Sequence, residues 1–268
     1  MVAYMDHKDL ANQSISQERA VQIQDGINRV MERIARSEQR SGRQEGSVTL
    51  LAATKTRDVG EIMAAIDAGV RLIGENRPQE VTAKADGLIE ACRERGLRLG
   101  GDPAESRVAG FHLIGQLQSN KINKVLPYVD TVESVDGLDL ARKLASRALA
   151  RGLVEGILLE VNESGEEAKS GCGPDRALDL AYELADMEGI RLDGLMTIGA
   201  HVDDETVIRR GFSHLRGLRD TIRSSGESGT GSCTQLSMGM TGDMDYAVAE
   251  GSTIVRVGTA IFGPRAFI

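Results

Sequence analysis

Tryptophan is absent from this chain and only four tyrosines occur in its 268 residues. It therefore lacks the aromatic platforms on which the bases of single-stranded nucleic acid stack. Basic residues are outnumbered: 32 lysines and arginines stand against 40 aspartates and glutamates, giving a net charge of -8 and an isoelectric point near 5.2. Nucleic acid and anionic membrane surfaces both select basic faces, so neither is expected as a partner, and any phosphate must be held by local donors. Cysteine is scarce too. Cys92, Cys172 and Cys233 are scattered, odd in number and without CxxC or Cys/His spacing, which points away from a disulfide framework or a zinc site and fits a reducing cytoplasm. No apolar run approaches the length of a membrane span, and residues 1–17 are polar with no signal-peptide core. The expectation is a soluble, unexported, cytoplasmic protein.

What is present is a repeated alternation of short apolar runs and amphipathic stretches. Residues 1–15 read as a flexible tail. Val21, Ile23, Ile27, Val30 and Ile34 then recur at near-helical intervals and predict an extra helix ahead of the first strand. Residues 48–54 are apolar or β-branched on both alternating faces, as in a strand of a parallel sheet covered by helices, and Lys55 stands at its end. Seven more strands are predicted over residues 70–73, 111–114, 128–135, 156–161, 192–198, 234–237 and 253–257. Helical patterns separate them, such as Val59, Ile62, Met63 and Ile66, or Val81, Leu88, Ile89 and Cys92. Residues 96–110, rich in glycine and charge, read as a surface loop without chemistry of its own, and residues 224–232 as a flexible linker between elements. Eight strands, each trailed by a helix, are the count of a single α/β domain, a (β/α)8 TIM barrel over residues 16–268. An open doubly wound sheet is the competing architecture, which the count disfavours.

Sites in such barrels lie at the carboxyl ends of the strands, and phosphate is often held after strands 7 and 8. Those loops here are Ser237-Met238-Gly239-Met240-Thr241 and Arg256-Val257-Gly258-Thr259. Small residues let backbone N–H groups approach an anion and hydroxyls add donors, although Asp243 and Asp245 nearby oppose one. At the mouth of an apolar barrel the amine of Lys55 is partly desolvated. That favours its neutral form, the form that attacks a carbonyl to make a Schiff base. A lysine that merely snorkels from a strand end into water is the other reading, and the strand alone favours it. Closing the barrel makes the first strand and the last two neighbours, which suits a phosphate ester bearing an aldehyde or ketone. His112 reads as a hydrogen-bonded core histidine, His201 and His214 as surface groups, Lys121 and Lys169 equally as lysines near the mouth or as ordinary solvated ones, and Cys172 as an exposed thiol between two glycines.

Several stretches in order resemble one known family. They are Ala53-Thr54-Lys55-Thr56, Gly74-Glu75-Asn76, Gln79-Glu80, Phe111-His112-Leu113-Ile114-Gly115-Gln116-Leu117-Gln118-Ser119-Asn120-Lys121, Lys169-Ser170-Gly171, Gly194-Leu195-Met196-Thr197-Ile198, Leu236-Ser237-Met238-Gly239-Met240, and Gly251-Ser252-Thr253 through to Gly263. Together they are similar to the pyridoxal phosphate homeostasis protein family, whose single barrel resembles the N-terminal domain of alanine racemases. The resemblance implies that Lys55 carries pyridoxal 5'-phosphate (PLP) as an internal aldimine. By the same likeness Ser237, Gly258 and Thr259 hold the phosphate with the Met238 and Gly239 backbone nearby, Arg256 faces the pyridine nitrogen or the phosphate, and Asn76 lines the ring pocket. A cation beside that nitrogen discourages its protonation and weakens the cofactor as an electron sink, which suits a holder better than a strong catalyst.

The likeness further implies a monomer that stores, buffers or delivers PLP, with PLP-dependent apoenzymes as recipients. It would support vitamin B6 and amino-acid balance without robust turnover, and without a metal. A PLP-dependent racemase is the second reading. Racemisation needs an acid/base group on each face of the ring, and in the two-domain racemases the second group comes from an extra domain for which this sequence shows no pattern. A phosphosugar lyase with a Schiff-base lysine is the third.

Overall fold

Eight parallel strands close on themselves in the computed structural model, which describes residues 9–166, 170–200 and 202–264. In chain order the elements are α1 (Gln17–Arg40), β1 (Thr49–Ala53), α2 (Val59–Asp67), β2 (Leu72–Glu75), α3 (Pro78–Glu94), β3 (Arg98–Leu99), β4 (Val108–Leu113), α4 (Ile122–Val125), β5 (Thr131–Val135), α5 (Leu138–Leu149), β6 (Glu155–Glu160), α6 (Ala177–Ala185), β7 (Ile190–Met196), α7 (Glu205–Ser224), β8 (Gln235–Ser237), α8 (Met244–Ala249), β9 (Ile254–Val257) and α9 (Thr259–Phe262). The hydrogen-bonded order runs β2-β1-β9-β8-β7-β6-β5-β4, and β2 also pairs with β4, so the ring is shut. This is the expected (β/α)8 barrel. Closure explains why β1 is apolar on both faces: one face fills the barrel and the other lies under helices.

The extra helix α1 starts at an N-cap, Ser16, whose hydroxyl accepts from Arg19 N at 3.2 Å. Its buried stripe of Ile23, Ile27, Val30 and Ile34 packs over α2, α8 and α9, the helices flanking the seam where β9 meets β1. Gly26 allows that approach, since a Cβ there would lie 2.5 Å from the Ile261 carbonyl oxygen. Arg33 then clamps α8 through Asp245 (2.9 Å) and the Thr241 carbonyl (2.7 Å). Asp245 thereby serves helix packing.

Several expectations are corrected. Of the flexible tail, residues 1–8 lie outside the described residues, but the rest is tied down: Leu10 is buried, and the carbonyls of Leu10 and Asn12 accept the N–H groups of Val59 and Gly60. The first N–H groups of a helix have no acceptor within it, and the carbonyls of this segment accept those of α2. Residues 96–110 are no free loop either. β3 adds in parallel to β4 outside the barrel ring, and Gly101 N donates to Asp130 Oδ2 at 2.9 Å. Val21 and Ile89, taken for inward-facing, are 45 % and 44 % exposed; the helical stripes pass beside them. In place of Ile89, Lys84 stands on the buried face of α3 between Val81 and Leu88. Among the described residues no helix is long and apolar enough to cross a membrane.

Candidate functional site

Lys55 is half-buried, two residues beyond β1 at the carboxyl-terminal mouth of the barrel. Its neighbours on both sides are held by one buried ionic cluster. On the near side the Thr54 hydroxyl donates to Glu75 Oε1 at 2.6 Å, and the Thr54 carbonyl accepts from Lys84 Nζ at 3.0 Å. On the far side Thr56, in the left-handed region at φ 68, donates its N–H to Glu80 Oε2 at 2.6 Å. Lys84 Nζ joins the two carboxylates, 2.6 Å from Glu75 and 3.0 Å from Glu80. All three side chains are buried. Burial pushes the Glu75 carboxyl up to about 7 against the opposing pull of Lys84, with Glu80 adding to the rise. A turn that must present an amine in one direction is thus fixed by charge-assisted bonds on either side of it.

The phosphate loops sit where the barrel closure places them. Ala52 of β1 pairs with Val257 of β9, so Gly258 runs beside the end of β1, and a Cβ on Gly258 would lie 3.2 Å from the Ala53 carbonyl oxygen. Thr259 is exposed and opens α9, whose first N–H groups have no intrahelical acceptor. Gly239 follows β8 in the left-handed region at φ 94, and its carbonyl accepts from Arg256 N at 2.9 Å, drawing the two loops together.

Three expected contacts look different in the structure. The Ser237 hydroxyl is fully buried, donates to Glu133 Oε2 at 2.6 Å and accepts from Arg256 Nη1 at 2.7 Å, so a phosphate contact there would have to displace Glu133. Met238 is a core residue whose N–H is already given to the Ile254 carbonyl at 3.1 Å. Arg256 lies beneath the mouth, 6 % exposed, with Nη2 on the Thr197 carbonyl at 2.8 Å and Nη1 on Ser237; Nε takes no part in these bonds. It is a buried cation in the floor, its pKa drawn down by burial and held up by Glu133.

Asn76, just past β2, completes the set. Its Oδ1 is buried with no hydrogen-bond partner, and so is the Thr56 hydroxyl. Gly115 keeps the loop after β4 close, since a Cβ there would lie 2.2 Å from the Asn76 carbonyl oxygen. A lysine, two orphaned polar atoms and two glycine-floored loops on neighbouring strand ends suit a small molecule carrying both an aldehyde and a phosphate. The residues present therefore fit PLP.

Glu75, Glu80, Lys84, Glu133 and Arg256 form a polar foundation that the sequence reading did not assemble. One signal was available: Glu80 and Lys84 are four apart on a helix, on the stripe that faces the core. His112 is the hydrogen-bonded core histidine expected, 2.7 Å from Glu133 and 3.2 Å from Asp130. Those two carboxylates raise it to about 10 although burial works against the charge, so it is an imidazolium at neutral pH. His214 is on the surface beside Glu163, whereas His201 and Lys169 lie outside the described residues. Cys172 is buried, its thiol pushed up to about 12 mainly by desolvation, which corrects the expected exposed thiol.

Comparisons with known proteins place this geometry. The model of the alanine racemase N-terminal domain matches residues 28–266. A pyridoxal phosphate homeostasis protein of Aquifex aeolicus is 34% identical over 90% of this chain and 97% of its own length. The crystal structure of an unknown protein from Bifidobacterium adolescentis is 67% identical, with a TM-score of 0.92 over 95% of this chain and 100% of that one. The structure of PipY from Synechococcus elongatus with PLP bound is 29% identical, with a TM-score of 0.69 over 86% of this chain and 100% of that one.

Proposed function

Because the chain belongs to the family of pyridoxal phosphate homeostasis proteins, built on the alanine racemase N-terminal domain, we propose that it is a cytoplasmic, monomeric PLP holder. In this reading it takes up PLP at Lys55 and yields it to PLP-dependent apoenzymes, without robust turnover of its own. The observation that carries the reading is the Lys55 turn, braced on both sides by the Glu75-Lys84-Glu80 cluster and standing beside the Gly258 loop at the end of the adjacent strand.

When bound, PLP supplies an aldehyde carbon for an amine and an electron-withdrawing ring. Lys55 Nζ would hold the aldehyde end. Gly239, Gly258 and Thr259 would hold the phosphate through backbone N–H groups and the Thr259 hydroxyl, and Asn76 would meet the ring edge. Arg256 keeps a permanent positive charge under the site while donating into Ser237 and Thr197. A cation there opposes protonation of a ring nitrogen facing it, so bound PLP would be a poor electron sink. That favours storage over catalysis.

The test is direct. The purified protein is incubated with PLP, reduced with borohydride and digested, and mass spectrometry locates the adduct. The expected result is one adduct, on Lys55, lost in Lys55→Ala while the circular dichroism spectrum is kept. An adduct on another lysine, or no uptake by the folded wild type, overturns the reading. Rapid turnover of any amino acid in a panel would overturn its holder part alone.

A further inference from the structure

The opposite mouth of the barrel holds a cavity of about 700 Å³. Its walls come from residues 98–103 and Glu105, from the approach to β5, from the start of β6, and from Arg191, Asp193 and Gln235. These are amino-terminal strand ends, whereas Lys55, Asn76, Gly239 and Gly258 follow carboxyl-terminal ones. Five carboxyl groups line the cavity, those of Asp102, Glu105, Asp130, Glu155 and Asp193, against Arg98, Arg191 and His112.

Most of this charge is already matched. Asp130 accepts from Gly101 N (2.9 Å), Phe111 N (2.7 Å) and His112 Nε2 (3.2 Å). Asp193 receives both arms of Arg191, at 2.5 and 2.9 Å. Arg98 spends its guanidinium on the Gly100 carbonyl (2.8 Å) and Glu105 (3.3 Å). Glu155 is different: 3 % exposed, with Oε1 buried and without a partner. The buried Oε1 of Gln235 on the same wall has none either. Two orphaned acceptors in one cavity, whose three cationic side chains, Arg98, Arg191 and His112, bond to other partners, ask for a donor from outside the chain.

The backbone is shaped for this arrangement. In the ladder between β6 and β7, Ile157 pairs with Leu192 and Leu158 with Gly194, so Asp193 is an extra residue, a bulge of the kind that re-aims a side chain. Gly156 leaves room for it, since a Cβ there would lie 2.5 Å from Asp193 Oδ2 and 2.8 Å from Thr131 Oγ1. Neither feature serves the Lys55 mouth. Among the described residues no three acidic, histidine or cysteine side chains gather into a metal site. Leu99, Leu126, Val129, Leu153 and Val154 add apolar wall.

We infer that this amino-terminal mouth is a second binding site, and that it takes a small alkylammonium ion whose N–H groups donate to Glu155 and Gln235 while its hydrocarbon part lies on the apolar wall. The inference stands apart from PLP binding. An ammonium matches the excess of acceptors and carries several donors on one atom, whereas an anion would meet the carboxylates. Glu155 also gives the site a signature. Its carboxyl is raised to about 8, chiefly by burial, with Asp130 and Asp193 adding to the rise and His112 and Arg191 opposing it. An ammonium favours the carboxylate, so binding at pH 7 expels a proton.

The probe is n-butylammonium chloride, titrated calorimetrically into the intact protein in two buffers of different ionisation enthalpy, at fixed ionic strength. Expected are saturable binding, release of close to one proton at pH 7, and an affinity that rises about tenfold per pH unit up to about pH 8 and then levels. Glu155→Gln should abolish the proton release and weaken binding at least about tenfold, while PLP uptake at Lys55 is unchanged. No saturable binding, binding without proton release by the wild type, or equal competition by sodium would each overturn the inference. The wild-type proton count decides even if the variant does not fold.

Discussion

Replacing Lys84 with methionine removes one ammonium from the interior while keeping most of the apolar stem that packs there. Lys84 is fully buried and donates to Glu75, Glu80 and the Thr54 carbonyl at 2.6, 3.0 and 3.0 Å. The carboxyl of Glu75 is raised to about 7 even with Lys84 beside it, so in the variant it must take up a proton at neutral pH. Breaking a buried pair by deleting one partner costs about 3–5 kcal/mol; protonation relieves part of that, leaving about 3 kcal/mol. Unfolding entropy of about 2.1 cal/mol/K per residue over 268 residues makes about 0.56 kcal/mol/K, so Tm should fall by about 5 °C. Adding Glu75→Gln should recover part of the loss, because the second change removes the stranded acid. Thr54 and Thr56 flank Lys55, so the same variant should also trap less PLP on Lys55 under borohydride although Lys55 is intact. The measurements are thermal unfolding at pH 7 of the wild type and the two variants, and adduct yield by mass spectrometry. A Lys84→Met protein that melts within about 1 °C of the wild type, where about 5 °C is expected, and traps PLP in full yield would refute the role of the cluster.

Gly239→Ala places a side chain at φ 94 with its Cβ 2.5 Å from that of Ala247; it should cost more than about 1 kcal/mol and speed PLP loss on dialysis. Gly258→Ala, at φ -119, escapes that backbone strain but brings its Cβ 3.2 Å from the Ala53 carbonyl oxygen, so it should lower Tm less than Gly239→Ala while also speeding PLP loss. His112 is raised from 6.5 to about 10, so the stability it contributes is complete below pH 6.5 and is lost as pH rises through 10, at most about 5 kcal/mol. Glu75 and Glu155, raised to about 7 and about 8, make stability fall with pH in the same sense but only between about 4.5 and 8. Cys172 and Cys233, pushed up to about 12 by burial, lower stability in the same sense above pH 9, so the histidine is read from a difference: in urea unfolding between pH 8 and 10 the wild type should lose more stability than His112→Gln.

The barrel was legible because its signal is local. Apolar runs such as the one ending at Lys55 repeat eight times between amphipathic stretches, and a parallel strand buried on both faces needs no distant partner to be recognised. Lys55 and the glycines after β8 and β9 were legible for the same reason, standing at ends that the alternation marks. The buried ionic groups were not. Lys84 looks like any surface lysine until the stripe of α3 is laid against β2, and only then do Glu75 and Glu80 come within 3.0 Å of its ammonium. Residues 96–110 looked like a loop because two residues of parallel pairing, Arg98 and Leu99 on β4, are too short to leave a periodic trace.

Strand register hid the rest. Between β5 and β6, Val132 pairs with Ile157 and Val135 with Leu159, so β5 carries one residue more than its neighbour, just as β7 does at Asp193. The first irregularity spans Glu133 and Ser134 and the second falls at Asp193, so a buried acid lies at each, and a bulge cannot be read from one strand alone. Glu133 shows what the irregularity achieves. It takes Ser237 at 2.6 Å and His112 at 2.7 Å, with Arg256 at 3.9 Å, and His112 passes on to Asp130. A barrel interior normally filled by layers of branched apolar side chains is here crossed by a chain of hydrogen-bonded charges from the floor of the Lys55 mouth to the opposite cavity. With Glu133 as a carboxylate, its pKa lowered chiefly by His112 and then by Arg256, both buried cations remain compensated. Neutralising Glu133 would leave His112 with Asp130 alone and Arg256 buried without its carboxylate, so the polar chain has to be kept whole or replaced whole.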